Sequence, residues 1–204
     1  MGENTYDKDI DTALTALKNE EVILVPTETV YGLAGDAKSV AAVKKIFEIK
    51  MRPRDVSLPV MLHTVDEAIN LTDDDRCREQ LSKLGSRFWP GPLTVVVPLK
   101  DNSPLAPFQE QKSVGIRCPD HDLLLSLLDI FGPLAVTSAN LHGGKPIETA
   151  DEAKAIFGDQ ISYIDGGLCQ GKPSTVVSLL GTKPTILRQG SISAKEILAA
   201  LKTH

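Results

Sequence analysis

Apolar residues recur every three or four positions in some stretches and gather into short runs in others. Ile10, Ala13, Leu14 and Leu17 predict a helix, and the apolar run 22–25 a strand. Val40, Val43, Ile46 and Phe47 predict a second helix, followed by a strand over 58–62. Cys77, Leu81 and Leu84 mark another helix, 93–99 a strand, 114–117 a short strand and 123–128 a helix. Strands are then predicted at 134–136, 161–164, 175–180 and 185–188, before a closing helix carrying Ile197, Leu198 and Leu201.

Helices and strands interleaved in this order predict an α/β (α+β-like) domain, an open sheet flanked by helices, over 1–204 as one unit. The strands are rich in Val and Ile with little strict alternation, as expected where both faces are buried. The stretch 99–112, with Pro104 and Pro107, is the longest irregular one and reads as a mobile loop over a site.

Composition narrows the function classes. The chain has 204 residues, 42% of them hydrophobic and 24% charged, within the range of globular proteins. No run approaches the roughly 20 apolar residues of a membrane span. The first residues lack the apolar core of a secretory leader, and Tyr6 stands where a myristoylation motif needs Ser or Thr. A cytoplasmic location without membrane attachment is the expectation. A net charge of −5 argues against a protein devoted to non-specific nucleic-acid binding. The three cysteines form no C-x-x-C pair, and the four histidines show no metal-ligand spacing, so no protein-bound metal is expected.

Candidate chemistry lies at the ends of the predicted elements. Lys50-Met51-Arg52-Pro53-Arg54 follows a helix, and Pro53 biases Arg52 towards extended backbone. In an extended segment Lys50 and Arg52 share a side, so both would aim at one anion such as a triphosphate. A solvated basic helix end suits the helix dipole equally, and the segment alone leaves both readings open. Ser138 and Asn140 repeat the i, i+2 relation where a buried strand runs into a glycine-rich turn, a position favoured for ligands in open α/β sheets. A local strand cap is the alternative there. Asp165-Gly166-Gly167 and Pro173-Ser174-Thr175 are further loop-to-strand junctions, Arg117 and Arg188 end strands, and Thr27, Glu28 and Thr29 leave the first strand. Trp89, in Phe88-Trp89-Pro90-Gly91, reads as a rigid turn packed on the core.

As an ordered set these motifs resemble the YrdC-like family, the threonylcarbamoyl-AMP synthases of tRNA modification. The resemblance runs from about 22 to 190. It rests on Pro26-Thr27-Glu28-Thr29-Val30-Tyr31-Gly32-Leu33, Lys50-x-Arg52-Pro53, Phe88-Trp89-Pro90-Gly91-Pro92-Leu93-Thr94, Ser138-Ala139-Asn140, Asp165-Gly166-Gly167 with Pro173-Ser174-Thr175-Val176-Val177, and Ile186-Leu187-Arg188. It implies a twisted mixed sheet with a deep basic cavity, in the family's single-domain form. Lys50, Arg52, Ser138 and Asn140 match its catalytic signature around the nucleotide phosphates. Thr27, Arg117 and Ser174 match positions of threonine recognition, and Ser113 and Arg188 positions near the nucleotide. The chain departs from the family at Ser57, before Leu58, and at Met61, where some members carry a histidine.

The reaction so implied joins L-threonine, bicarbonate and ATP into threonylcarbamoyl-adenylate and pyrophosphate. Mg2+ would arrive with ATP, and a downstream threonylcarbamoyl transferase complex would act on tRNA. The competing expectations are a carbamoyl-transfer domain and a double-stranded RNA-binding or ribosome-assembly module with weak RNA binding.

Overall fold

The computed structural model describes residues 5–51, 58–105, 107–108, 112–141, 144–169 and 172–202. In chain order the elements are α1 (Thr5–Lys18), β1 (Ile23–Val25), β2 (Gly32–Asp36), α2 (Val40–Lys50), β3 (Val60–Met61), α3 (Val65–Ile69), α4 (Asp75–Phe88), β4 (Leu93–Pro98), β5 (Ser113–Arg117), α5 (Asp122–Phe131), β6 (Leu134–Ser138), α6 (Ala150–Phe157), β7 (Ser162–Tyr163), β8 (Thr175–Ser178), β9 (Thr185–Arg188) and α7 (Ala194–Lys202). The strands form one sheet in the order β7-β1-β2-β6-β3-β5-β4-β8-β9. It is mixed: β1–β7, β3–β5 and β4–β8 are parallel pairs, and the others antiparallel.

The pleat divides the sheet between two cores. Ile23, Val25, Ala34, Leu134 and Val136 join α1 and α5 on one face. Leu24, Leu33, Ala135, Val95, Ile116 and Val177 point the other way, into a larger core with residues of α2, α4, α6 and α7. The two-faced burial expected from the apolar strands therefore holds for β1, β2 and β6. Across β5, β4 and β8 it does not: α1 and α5 do not reach that far, and the exposed side of the sheet becomes the wall of a cavity.

Three elements escape the apolar pattern. β2, Gly-Leu-Ala-Gly-Asp, has no β-branched residue, yet it sits between β1 and β6 because its glycines permit close approach. A Cβ on Gly32 would lie 2.6 Å from Val136 Cγ1. The other two are short helices, α3 and α6, each opened by a threonine that accepts from the backbone N–H three residues on. In α3 Glu67 completes a capping box with Thr64. The strand expected over 58–62 is regular only at Val60–Met61.

The stretch 99–112 is not a free loop in its described part. Leu99 N donates to Lys112 O at 3.0 Å, Lys100 N to Leu71 O at 2.9 Å, and Leu105 and Phe108 are buried in the larger core. None of its described residues lines the cavity. Trp89 is buried as expected, its Nε1 donating to Leu93 O at 2.7 Å. No helix among the described residues is long and apolar enough to cross a membrane.

Candidate active site

The cavity holds about 510 Å³ over the face of the sheet that no helix covers. Register fixes its layout. Thr94 and Val96 on β4 stand beside Arg117 and Gly115 on β5, because Val95 pairs with Ile116. Val176 on β8 pairs with Thr94, and Arg188 on β9 with Val176. On the other flank Val136 N donates to Pro59 O at 2.9 Å, which carries the sheet past the end of β3. The centre of the floor is thus apolar: Val136, Pro59, Gly115, Val96 and Val176. Polar groups gather at two ends, marked by Arg117 and Ser113 on the same face of β5. These lie about 13 Å apart at roughly 3.3 Å per strand residue.

At the Arg117 end, two arginines face the cavity in different electrostatic states. Arg117 is buried, donates from Nε to Gly91 O at 3.2 Å and from Nη2 to Thr29 Oγ1 at 3.2 Å, and lies 2.6 Å from Glu28 Oε2. That close ionic contact is not a well-directed hydrogen bond, for neither Glu28 oxygen has a hydrogen-bond partner among the described residues. Arg188 donates from Nε to Ser174 O at 3.1 Å and from Nη2 to Ser174 Oγ at 3.0 Å. No carboxylate pairs with it among the described residues. Burial, and then the charge of Arg117, pull its pKa below the usual arginine value. Two cations share this end with one carboxylate, leaving a positive charge for an anionic ligand.

The hydroxyls here are partly committed. Thr27 Oγ1 accepts from Thr29 N and Val30 N, lies 2.8 Å from Thr29 Oγ1 and donates to Val30 O at 2.7 Å. Thr27 therefore shapes the turn that presents Thr29, and it also lines the cavity. Thr94 Oγ1 lies 3.0 Å from Ser174 Oγ, which already accepts from Arg188. In either orientation the Thr94–Ser174 pair keeps one hydroxyl proton to offer into the cavity.

The opposite end is built on Lys50. α2 runs through Lys50 and stops at Met51, whose φ of 52° is left-handed. Lys50 and Arg52 are thus not joined by the extended backbone read from Pro53, and Lys50 is no solvated helix end: it is 2% exposed. Its ammonium donates to the main-chain oxygens of Ser138 and Asn140 and lies 3.5 Å from Asn140 Oδ1. Ser138 Oγ donates to Asn140 Oδ1, and Asn140 Nδ2 donates to Leu141 O and Gly144 O, each at 2.9 Å. The bonds match the strand-cap reading, and they leave the turn's side chains on a cavity wall. The side chains hold the turn together, and Ser138, Asn140 and Ser113 line the cavity. Arg52, Ser57, His142 and Gly143 lie outside the described residues.

Tyr31 ties the third motif to the site. Its hydroxyl accepts from Gly166 N at 3.0 Å and stands 2.8 Å from Gly167 O and 3.1 Å from Asp165 Oδ1. Burial raises its pKa far above the usual phenol value, so the hydroxyl stays a neutral donor.

Comparison with known proteins accounts for this arrangement. The family model Sua5_yciO_yrdC, described as "Telomere recombination", matches residues 15–190. The chain belongs to this family. It is 40% identical over 204 residues to a threonylcarbamoyl-AMP synthase of Bacillus subtilis, covering 97% of this chain and 58% of that protein. A threonylcarbamoyl-AMP synthase of Photorhabdus laumondii is 36% identical over 76% of this chain and 83% of its own length. The crystal structure of P. abyssi Sua5 complexed with L-threonine superposes with a TM-score of 0.87 at 34% identity, covering 95% of this chain and 57% of that one. The chain thus spans little more than half the length of the Bacillus and P. abyssi proteins.

Of the residues singled out in the sequence, Thr27, Arg117, Ser174, Ser113, Ser138, Asn140 and Arg188 line one cavity, and Lys50 lies directly behind it. Arg188 stands at the Arg117 end, bonded to Ser174, rather than beside Ser113. Glu28, Thr29 and Tyr31 showed in the sequence only as polar and aromatic residues leaving the first strand, and Thr94 carries no separate signal. Their roles come from cross-strand neighbours, and only their place in two of the quoted motifs marked them.

Proposed function

We propose that this chain forms L-threonylcarbamoyl-adenylate and pyrophosphate from L-threonine, bicarbonate and ATP, for the N6-threonylcarbamoyl modification of adenosine in tRNA. The observation that carries the reading is the two-ended cavity: a ligand with polar groups at both extremities and an apolar middle fits it. The Arg117 end, with Arg188, Ser174, Thr94 and Thr29, suits a small amino acid and the carboxylates it bears. The Ser113–Ser138–Asn140 end suits a nucleotide phosphate. Support comes also from the relatives' names and from the P. abyssi protein, which is crystallised with L-threonine.

In this reading threonine enters with its carboxylate towards the uncompensated charge of Arg188 and Arg117. Its amine, once neutral, takes up carbon dioxide derived from bicarbonate to give a carbamate. A carbamate oxygen attacks the α-phosphate, and pyrophosphate leaves. The protein's part is orientation and neutralisation of charge on oxygens, which fits a cavity of arginines and hydroxyls without a nucleophile–base pair. Mg2+ belongs to the substrate, carried on ATP phosphates. A transferase complex acting on tRNA would consume the adenylate.

The test is direct. Incubation with threonine, bicarbonate, Mg2+ and ATP should yield the threonylcarbamoyl-adenylate mass with stoichiometric pyrophosphate, and omission of any one reactant should abolish it. Product from carbamoyl phosphate in place of bicarbonate and threonine would replace this reading with carbamoyl transfer.

A further inference from the structure

Tyr31 holds three parts of the chain at once. Its main-chain oxygen accepts from Ala139 N at 2.7 Å, and its N–H donates to Ile147 O at 3.1 Å. Its hydroxyl, on a side chain with no exposed surface, meets the turn Asp165–Gly167. Ala139 is the middle of the turn whose outer carbonyls bind Lys50, so Tyr31 completes the hold on the Ser138–Asn140 end of the cavity. Two residues before Tyr31, Thr29 Oγ1 accepts from Arg117 at the other end. One short stretch, 29–31, thus touches both polar ends.

The hydroxyl does more than fill a core position. It accepts from Gly166 N at 3.0 Å and has one proton for Gly167 O at 2.8 Å or Asp165 Oδ1 at 3.1 Å. Asp165 Oδ1 also accepts from Gly167 N at 2.9 Å, which closes the turn on itself. The turn is shaped for this seat. Gly167 has a φ of 79°, in the left-handed region that glycine tolerates, and a Cβ on Gly166 would stand 2.5 Å from Pro26 Cγ. Beyond it Cys169 N donates to Glu148 O at 3.0 Å, beside the Ile147 carbonyl that Tyr31 N–H binds. Residues 165–169 therefore lie across two wall segments, 26–31 and 146–148, from which Thr27, Tyr31 and Pro146 line the cavity. No residue of 165–169 lines it, so this turn acts from behind.

We propose that Tyr31 is a positioning residue: its hydroxyl pins residues 165–169 as a buttress behind the cavity wall and so fixes the two polar ends relative to each other. Each end keeps its own side chains when the hydroxyl is removed, and each still binds its part of the ligand. What the buttress supplies is alignment, because a small displacement between reacting groups costs far more in rate than in binding. This role rests on the function proposed above, in which a carbamate oxygen at one end must reach the α-phosphorus held towards the other.

The buttress itself is tested without any assay of turnover. Tyr31→Phe keeps the ring and removes the hydroxyl. Cys169 is buried at the end of the turn, while Cys77 and Cys118 are buried on α4 and just after β5. Alkylation by N-ethylmaleimide, mapped by mass spectrometry, should run roughly tenfold faster at Cys169 in the variant and unchanged at the other two. Equal acceleration at all three, or none at Cys169, overturns the proposal whether or not the protein makes the adenylate. Asp165→Ala, at an exposed position, opens the same turn from its other side, should also speed Cys169 alone, and decides the matter should Tyr31→Phe not fold. Its effect should add little to that of Tyr31→Phe, and full additivity would count against a shared buttress.

In the enzyme assay, turnover at saturating threonine and ATP should fall roughly tenfold in Tyr31→Phe. Calorimetric titration with threonine alone and with ATP alone should still give one site per chain at nearly the parent's affinity. A fall in sites per chain that matches the fall in turnover would mean damage to the fold. Weakened binding with full turnover at saturation would mean a ligand contact. Either result removes Tyr31 from positioning. Failure of the unmodified protein to make the adenylate would sink the function instead, and the alkylation result would then decide the buttress by itself.

Discussion

Lys50, the last residue of α2, donates its ammonium proton to the main-chain oxygen of Asn140 at 2.7 Å. A helix and a strand-end turn 90 residues apart in sequence are joined by one buried cation. Because Ser138 O is a second acceptor, the cation binds the two ends of the Ser138-Ala139-Asn140 turn together. Its charge sits behind the cavity wall rather than in the open cavity, where it still favours a phosphate held by Ser138 and Ser113.

Lys50→Met, of similar shape without the charge, should therefore lower both activity and stability. Each carbonyl left without a donor costs about 1–3 kcal/mol. Loss of one preorganised electrostatic contact lowers turnover roughly 10²-fold or more. Thermal unfolding and pyrophosphate release measured on the same preparation check both halves. A variant as stable and as active as the parent would remove Lys50 from the machinery.

Arg188→Ala should separate binding from folding, since the residue is exposed and lies on an edge strand. With it goes, among the described residues, the cavity arginine that no carboxylate neutralises, so threonine-dependent turnover should fall by roughly 10²-fold. Arg188→Lys should recover little, because a point charge cannot span Ser174 O and Ser174 Oγ as the guanidinium fork does. A steady-state comparison of the two variants is the check; full rescue by lysine would mean that charge alone matters there.

Much of this was readable in the chain, for identifiable reasons. Long amphipathic helices and Val- or Ile-rich strands declare themselves, which is why α1, α2, α4, α5, β4 and β5 are plain in the sequence. β2 is not, because its place depends on Gly32 slipping under Val136, a neighbour about a hundred residues away. α3 and α6 open on the capping threonines Thr64 and Thr149, but helices of one or two turns carry too few apolar positions to show a period. The site residues were legible as a set of strand ends. Their division of labour was not: that Thr27 also holds its own turn, and that Lys50 is buried on the oxygens of Ser138 and Asn140, depend on contacts the local sequence does not show.

Gly115 lies in the middle of the cavity floor, and a Cβ there would meet Thr94 Cγ2 at 3.3 Å, Val96 Cγ2 at 3.8 Å and Pro59 Cα at 3.9 Å. The first is tight and needs the Thr94 methyl to give by a few tenths of an ångström, while the others are ordinary contacts, so Gly115→Val should still fold. Its methyls would nevertheless stand in the ligand's space. Overpacking costs about 1–3 kcal/mol, so substrate affinity should fall roughly tenfold to a hundredfold. Binding of threonine and ATP by calorimetry checks this, and unchanged affinity would show that the ligand does not lie on this floor.

Stability should weaken on mild acidification, with His121 as a cause. Burial depresses its folded pKa below the ordinary 6.5. Above about pH 6.5 the ring is neutral both folded and unfolded, and its full contribution to stability is present. As pH falls below that, the unfolded chain takes up a proton that the folded ring resists, so stability is lost until the pH passes the folded pKa. The carboxylates with depressed values, Asp74 and Glu196, lose their contribution only at still lower pH, since their ordinary values are 3.8 and 4.5. Denaturant titrations at about pH 7.5 and pH 5.5 should show this loss, and His121→Asn, which has no proton to take up, should flatten it. An unchanged pH slope in the variant would assign the loss to other groups.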